Sequence, residues 1–237
     1  MYSLPQKLAA EFVGAFALIF VGAGSICADQ YLHVAGQPGL GPFAIAAAQG
    51  LAFGVMVTAV AHISGGHLNP AVTIGFWVTR RIGTFQALAY WIAQMLGATA
   101  AAFLLTVLIP EVTWRGAALG TPSVSPDITR LQGMAIEAAL TFLLVFVVFA
   151  TNVDVNGFNK IAGLAIGATV TMDILIGAPF TGAAINPVRA FGPALATRHW
   201  ANHGVYWLGP LIGGLLAGFL YDRLFLRDEP PLEISHT

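Results

Sequence analysis

Six runs of about 20 mostly apolar residues fill most of this chain, and a bundle of membrane-spanning helices is the fold that houses them. They cover Leu8–Ala28, Pro42–His62, Phe85–Ile109, Leu131–Asn152, Ile161–Ala178 and Val205–Leu226. Only 9% of the 237 residues are charged, with a mean hydropathy of +0.78, where soluble chains carry about 25%. The expected class is an all-α membrane protein. A net charge of -1, with ten scattered basic residues, offers no footing for nucleic acid. Cys27 is the single cysteine, so no internal disulfide or multi-cysteine metal site is expected. Methionine and histidine are too sparse for a metal-transport lining, and no cofactor is implied. The run from Phe12 to Gly24 after Lys7 has the look of a secretory leader. Glu11 interrupts its start, and the repeat below needs the segment, so it is read as the first span.

Two further apolar stretches, Asn69–Val78 and Asn186–Ala196, are too short to span, and each opens with Asn-Pro. Asparagine is a good N-cap, and proline at the first helical position lacks only a donor that would be unpaired anyway. Both read as half-helices that dip into the membrane and return, because backbone at that depth needs partners or a watery lining.

The chain also repeats itself. Glu11, Phe16, Leu18, Phe20 and Val21 recur as Glu137, Phe142, Leu144, Phe146 and Val147. Gly50, Gly65, Asn69, Pro70 and Gly75 recur as Gly167, Gly182, Asn186, Pro187 and Gly192. Tyr90, Trp91, Gly97, Phe103 and Leu104 recur as Tyr206, Trp207, Gly213, Phe219 and Leu220. Each half holds three spans and one half-helix, and an odd number of spans inserts the second copy upside down. Such inverted repeats place a functional site near the midplane, where the halves meet. The expected organisation is one transmembrane domain over 1–237, with a first repeat at about 8–109, a second at about 131–226 and a cytoplasmic tail at 227–237. Gly163/Gly167 and Gly214/Gly218 are read as close helix packing.

Six spans leave both termini on one side. Assigning it to the cytoplasm places Lys7, Arg80, Arg81, Lys160, Arg223 and Arg227 there, against Arg115, Arg130, Arg189 and Arg198 on the other side. The positive-inside rule favours this orientation. The expectation is a multi-pass protein of the cell membrane with both termini cytoplasmic.

The two half-helices should meet N-terminus to N-terminus, each with unpaired backbone donors and about half a positive charge. Two such ends repel cations, a hydrated proton included. The amides of Asn69 and Asn186 can donate to a passing oxygen. A water held by both turns its hydrogens outward, which breaks a proton wire. Capping and this second use are compatible.

The stretches Ser64-Gly65-Gly66-His67-Leu68-Asn69-Pro70-Ala71-Val72-Thr73 and Asn186-Pro187-Val188-Arg189-Ala190-Phe191-Gly192-Pro193-Ala194 resemble the paired signature of the aquaporins, or major intrinsic proteins. The resemblance runs from Glu11 to about Tyr221. It implies a right-handed bundle of six transmembrane helices and two re-entrant half-helices in inverted repeats, a homotetramer with a pore in each subunit, and passive conduction. Asn69, Asn186, Pro70, Pro187, Ala71 and Val188 then form the pore midplane. The second motif reads Asn-Pro-Val where the family has Asn-Pro-Ala. Val188 is expected to add two methyl groups where the half-helices touch, with a small shift in packing.

The resemblance also implies a constriction toward the outer mouth, which spacing from the asparagines places on Gln49, Ile174, Ala183 and Arg189. Arg189 offers fixed donors and a permanent positive charge. Strict water channels of the family carry histidine where Ile174 stands, so this neck lacks a donor and is wider. Gln49 can donate or accept. Family glycerol channels carry aspartate directly after the arginine, where this chain has Ala190, and Tyr206-Trp207 looks like the water-channel branch. The four positions together resemble plant tonoplast-type and ammonia-permeable members. The implied cargo is water, with ammonia or another small neutral solute as a second one. The alternative is a facilitator mainly for glycerol, urea or ammonia.

Three acidic residues lie inside spans, each costing about 2.5–3.5 kcal/mol if unpaired. By resemblance, Glu11 and Glu137 accept hydrogen bonds from the loops entering the half-helices, and His67 is a buried hydrogen-bonding residue. Asp173 has no acidic counterpart in the repeat. Helical neighbours point about 100° apart, so it is expected off the Ile174 face, in a pair or a vestibule. A proton-coupled transporter would use these three acids as carriers, and inverted repeats with broken helices suit that class too. Glutamates at equivalent span starts, and two facing Asn-Pro ends that oppose cations, argue against it. No nucleophile–base pair, metal-ligand cluster or phosphate loop points to an enzyme. A junction protein of the same family stays open as a third reading.

Overall fold

The computed structural model describes residues 2–226. It is all-helical among them, and six helices are long and apolar enough to cross a membrane. In chain order, α1 covers Leu4–Val34, α2 Gly41–Ser64, α3 Pro70–Val78, α4 Thr84–Leu108, α5 Glu111–Gly116, α6 Arg130–Val148, α7 Ala162–Thr181, α8 Pro187–Thr197 and α9 Val205–Phe225. Helices α3 and α8 are the two half-helices. A π-helical turn, Phe149–Val153, extends α6. The expected tail at 227–237, Arg227 included, lies outside the described residues.

Local chemistry sets the helix ends. Capping boxes start α1 (Ser3 with Gln6) and α6 (Thr129 with Gln132), each satisfying donors the helix leaves open. Helices α2 and α7 end on Gly65 and Gly182, in the left-handed region at φ 93° and 80°. That conformation is cheap for glycine and stops a helix. The two glycines are 117 positions apart, so both halves turn out of the membrane-crossing helix by the same device.

The halves interlock. Helix α1 packs on α4 and α6 on α9, while α2 and α7 pair across the middle. Each half-helix crosses over: α3 lies against α9 of the second half, and α8 against α4 of the first. Missing side chains permit these approaches. A Cβ on Gly50 would meet the Gly167 carbonyl, and one on Gly167 would meet that of Gly50. Gly97 against Phe12 and Gly213 against Ala138 repeat the arrangement in the α1–α4 and α6–α9 pairs. Small residues at contacts are how helices associate where lipid removes the hydrophobic drive. Gly163 meets Gly54 and Thr58, and Gly214 meets Ala71, the packing role expected of those glycines.

One segment carried no regular signal. After α4 the chain folds into α5 and a single 3-10 turn, Ala118–Gly120, and this turn packs on α1 and α8.

Candidate functional site

The tips of the half-helices meet in the protein interior. Asn69 and Asn186 are N-caps, fully or nearly buried, and their Oδ1 atoms accept from the backbone N–H of Ala71 (2.8 Å) and Val188 (3.1 Å). Pro70 and Pro187 hold the first helical positions. The amide nitrogens reach across the halves: Asn69 Nδ2 donates to the Ile185 carbonyl at 2.9 Å, and Asn186 Nδ2 donates to the Leu68 carbonyl at 3.1 Å. An amide carries two hydrogens. One is spent on the opposite loop, and the second is left to point elsewhere.

Both approach loops are bent against backbone preference. Leu68 sits at φ 53°, Ala183 at 45° and Ile185 at 47°, a region costing a non-glycine residue roughly 1–3 kcal/mol, most for a branched one. The two buried glutamates hold them there. Glu11 accepts from Ser64 Oγ (2.6 Å), from the N–H groups of His67 (2.9 Å) and Leu68 (2.6 Å), and from Gln94 Nε2 (2.7 Å). Glu137 accepts from Thr181 Oγ1 (2.7 Å) and from the N–H groups of Ala184 (3.0 Å) and Ile185 (2.7 Å). Tyr90 and Tyr206 donate to the Ser64 and Thr181 carbonyls, locking the same corner in each half.

The copies differ where side chains differ. His67 is buried, with Nδ1 3.1 Å from Thr73 Oγ1 and its ring against Phe76 and Tyr90. The second half has Ala184, Ala190 and Pro210 where the first has His67, Thr73 and Gln94. It carries Arg189 where the first half has Val72.

Beyond Asn186 lies a narrow cavity of about 30 Å³, whose lining includes Gln49, Ile174, Ala183, Asn186 and Arg189. The structure thus brings together four residues from three separate segments. Leu18, Phe53 and Val170 add apolar walls that periodicity alone did not single out. Asn69 does not line this cavity. Arg189 is 6% exposed; its Nη1 donates to the Gly120 carbonyl at 2.6 Å and its Nε to Gln49 Oε1 at 3.4 Å. The guanidinium is clamped between α2 and the 3-10 turn, with remaining N–H groups free. The Gly120 contact was not foreseen, since nothing in the spacing marks a loop carbonyl 69 residues away.

One expectation needs correction. Among the described residues Asp173 is neither paired nor in a vestibule: it is 1% exposed and its Oδ2 has no hydrogen-bond partner there. It lies one turn from Gly177, which faces both Leu140 of α6 and Ala183, and residues four apart share a helix face. Val188, fully buried, joins a cluster with Ile19, Ala23, Ala98, Ala101 and Leu119. Among the described residues no cluster of histidine, cysteine and carboxylates could hold a metal ion.

Comparisons with known proteins agree with this geometry. The family model for the major intrinsic proteins matches residues 2–221. The chain is 44% identical to aquaporin TIP4-4 of Zea mays, covering 94% of this chain and 88% of that one. It is 43% identical to aquaporin TIP2-1 of Arabidopsis thaliana, covering 95% and 90%. Among solved structures, the aquaglyceroporin from Plasmodium falciparum shares the fold with a TM-score of 0.82 at 24% identity, covering 94% of this chain and 97% of that one.

Proposed function

The chain belongs to the major intrinsic protein family and is a passive membrane channel for water and small solutes, not an enzyme; from this premise we propose that its path runs past Asn69 and Asn186 and through the neck formed by Gln49, Ile174, Ala183 and Arg189. The supporting observation is the cavity that those four residues share with Asn186. Water entering it meets Arg189, Gln49 and Asn186 as polar contacts against an otherwise apolar wall. At the midplane the free amide hydrogens of Asn69 and Asn186, with Pro70, Pro187, Ala71 and Val188 fixing the tips, hold a water by its oxygen. Helix dipoles and the Arg189 charge exclude cations and protons.

With isoleucine and alanine at two of four positions, the neck asks little hydrogen bonding of its cargo, so ammonia follows water. The coupled-transport alternative loses its carriers: Glu11 and Glu137 accept four and three hydrogen bonds from groups that build the loops. Protonating either one removes acceptors that the backbone depends on.

In this reading 1–237 is one channel domain with repeats at about 8–109 and 131–226. Both termini lie on the cytoplasmic side of the cell membrane, which the basic-residue count supports. Four copies associate side by side, and the exposed apolar face of α2 and α7, with Leu51, Val55 and Leu164, is open to a neighbour. Stopped-flow light scattering on proteoliposomes with water, glycerol, urea and ammonia tests the neck. Ile174→His should lower the ammonia-to-water ratio, and Arg189→Ala should admit larger solutes. An unchanged ratio in Ile174→His refutes the assignment of the neck.

A further inference from the structure

At the end of the bundle where α6 and α9 begin, a cleft of about 460 Å³ opens between them, away from the pore. Its deeper wall is apolar and faces outward: Leu131 is 69% exposed and Leu208 56%, with Met134 between the helices. Its rim is polar, formed by Arg130, Asn202 and His203. Every charged or titratable group on this rim is a donor, and among the described residues no carboxylate lines the cleft. Arg130 makes no ion pair among the described residues. The nearest acid in the chain, Asp127, is hydrogen-bonded by Ser125. His203 Nε2 accepts from Trp207 Nε1 at 3.0 Å, so the proton of the neutral ring sits on Nδ1, which has no partner among the described residues.

We propose that this cleft is a binding site for an anionic phospholipid, with the phosphate on Arg130 and the His203 Nδ1–H and one acyl chain against Leu131, Met134 and Leu208. The charge pattern selects the occupant. A floor of aliphatic side chains takes hydrocarbon, and a rim holding a guanidinium, an imidazole N–H and an amide takes a phosphodiester, since arginine forks match phosphate oxygens. The depth is right as well. Trp200 is 43% exposed and Trp207 stands beside the cleft, and tryptophans collect at the level of lipid headgroups.

Native mass spectrometry of the full chain in detergent, titrated with phosphatidylglycerol and phosphatidylcholine, tests the site. The chain should retain phosphatidylglycerol in preference to phosphatidylcholine. Arg130→Gln should weaken that retention about fivefold, the effect of one basic side chain near an anionic headgroup. Arg115→Gln, whose arginine is exposed and already paired with Glu111, should leave it unchanged. Leu208→Trp, which fills the floor, should weaken both lipids. Water flux in phosphatidylcholine vesicles, unaltered in all three variants, shows that they fold. Equal retention by Arg130→Gln and Arg115→Gln overturns the proposal. Displacement by inorganic phosphate overturns it too, since the site would then take a free anion. So does efficient disulfide cross-linking of Leu208→Cys between copies, since a second chain would then cover the cleft.

Discussion

Asn69 and Asn186 are each tied to the loop that leads into the other: Asn69 Nδ2 donates to the Ile185 carbonyl and Asn186 Nδ2 to the Leu68 carbonyl, at 2.9 and 3.1 Å. The two amides are therefore oriented by the opposite half, and neither half can set its own asparagine alone. The same bonds satisfy carbonyls that the left-handed turns at Leu68 and Ile185 would otherwise leave unpaired. The amides proposed to meet the passing water thus also hold the two loops in place.

Asn186→Asp tests this exchange. The carboxylate keeps the cap acceptor but loses the donor to Leu68, and it faces that carbonyl with negative charge. Losing such a buried bond costs about 1–3 kcal/mol. If about 1 kcal/mol of this appears in the barrier, water permeability drops about fivefold. A small cation leak should also appear in planar-bilayer recordings, because the charge at the meeting point has changed sign.

Glu137→Ala should destabilise the chain more than it affects any single contact. Three donors, two of them backbone N–H groups and one of those on the strained Ile185, lose their acceptor, at about 1–3 kcal/mol for each group left bare. A melting temperature well below that of the parent is expected in detergent, measured by intrinsic fluorescence. Glu11→Ala should behave alike, because its loop is built the same way.

Much of this site was legible in the sequence, and the reason is symmetry. Asn-Pro at two places, a glutamate at two span starts and glycine at two helix ends are paired signals, and a pair is hard to produce by accident. Features that occur once were harder to read. The Gly120 carbonyl reaches Arg189 from a loop without periodicity, so its role exists only once the chain has folded over α1 and α8. The cluster that Val188 joins with Ala98 and Ala101 of α4 is no more visible in the sequence, because the smallness of those alanines matters only in three dimensions. Asp173 illustrates the same limit, since helical spacing turned it away from Ile174 but could not show that nothing awaits it on the other face.

Asp173→Asn separates a channel from a coupled transporter. A buried carboxyl with an orphaned oxygen is costly at membrane depth, and the amide removes the ionisable group at nearly constant shape. Water flux should be unchanged and the melting temperature should not fall. Were Asp173 a proton carrier, solute movement would collapse in this variant and would respond to a pH gradient in the parent.

His203 supplies a pH signature outside the spans. Burial pushes its pKa below the ordinary histidine value, and Nε2 is occupied as an acceptor for Trp207. Between the folded and unfolded values, the unfolded chain binds more protons, so stability rises with pH there. Its contribution is present above an unfolded pKa of about 6.5 and is lost as pH falls. The parent should therefore lose thermal stability between neutral and mildly acidic pH, and His203→Gln should lose less over the same interval.

Water flow and proton flow should part where the two asparagines meet. Stopped-flow shrinkage of proteoliposomes loaded with a pH-sensitive dye measures both fluxes on one preparation. Osmotic water flow well above that of protein-free vesicles, with proton flux no higher than theirs, is the result that follows from this geometry. Water flow equal to that of protein-free vesicles, or protons crossing along with the water, contradicts it.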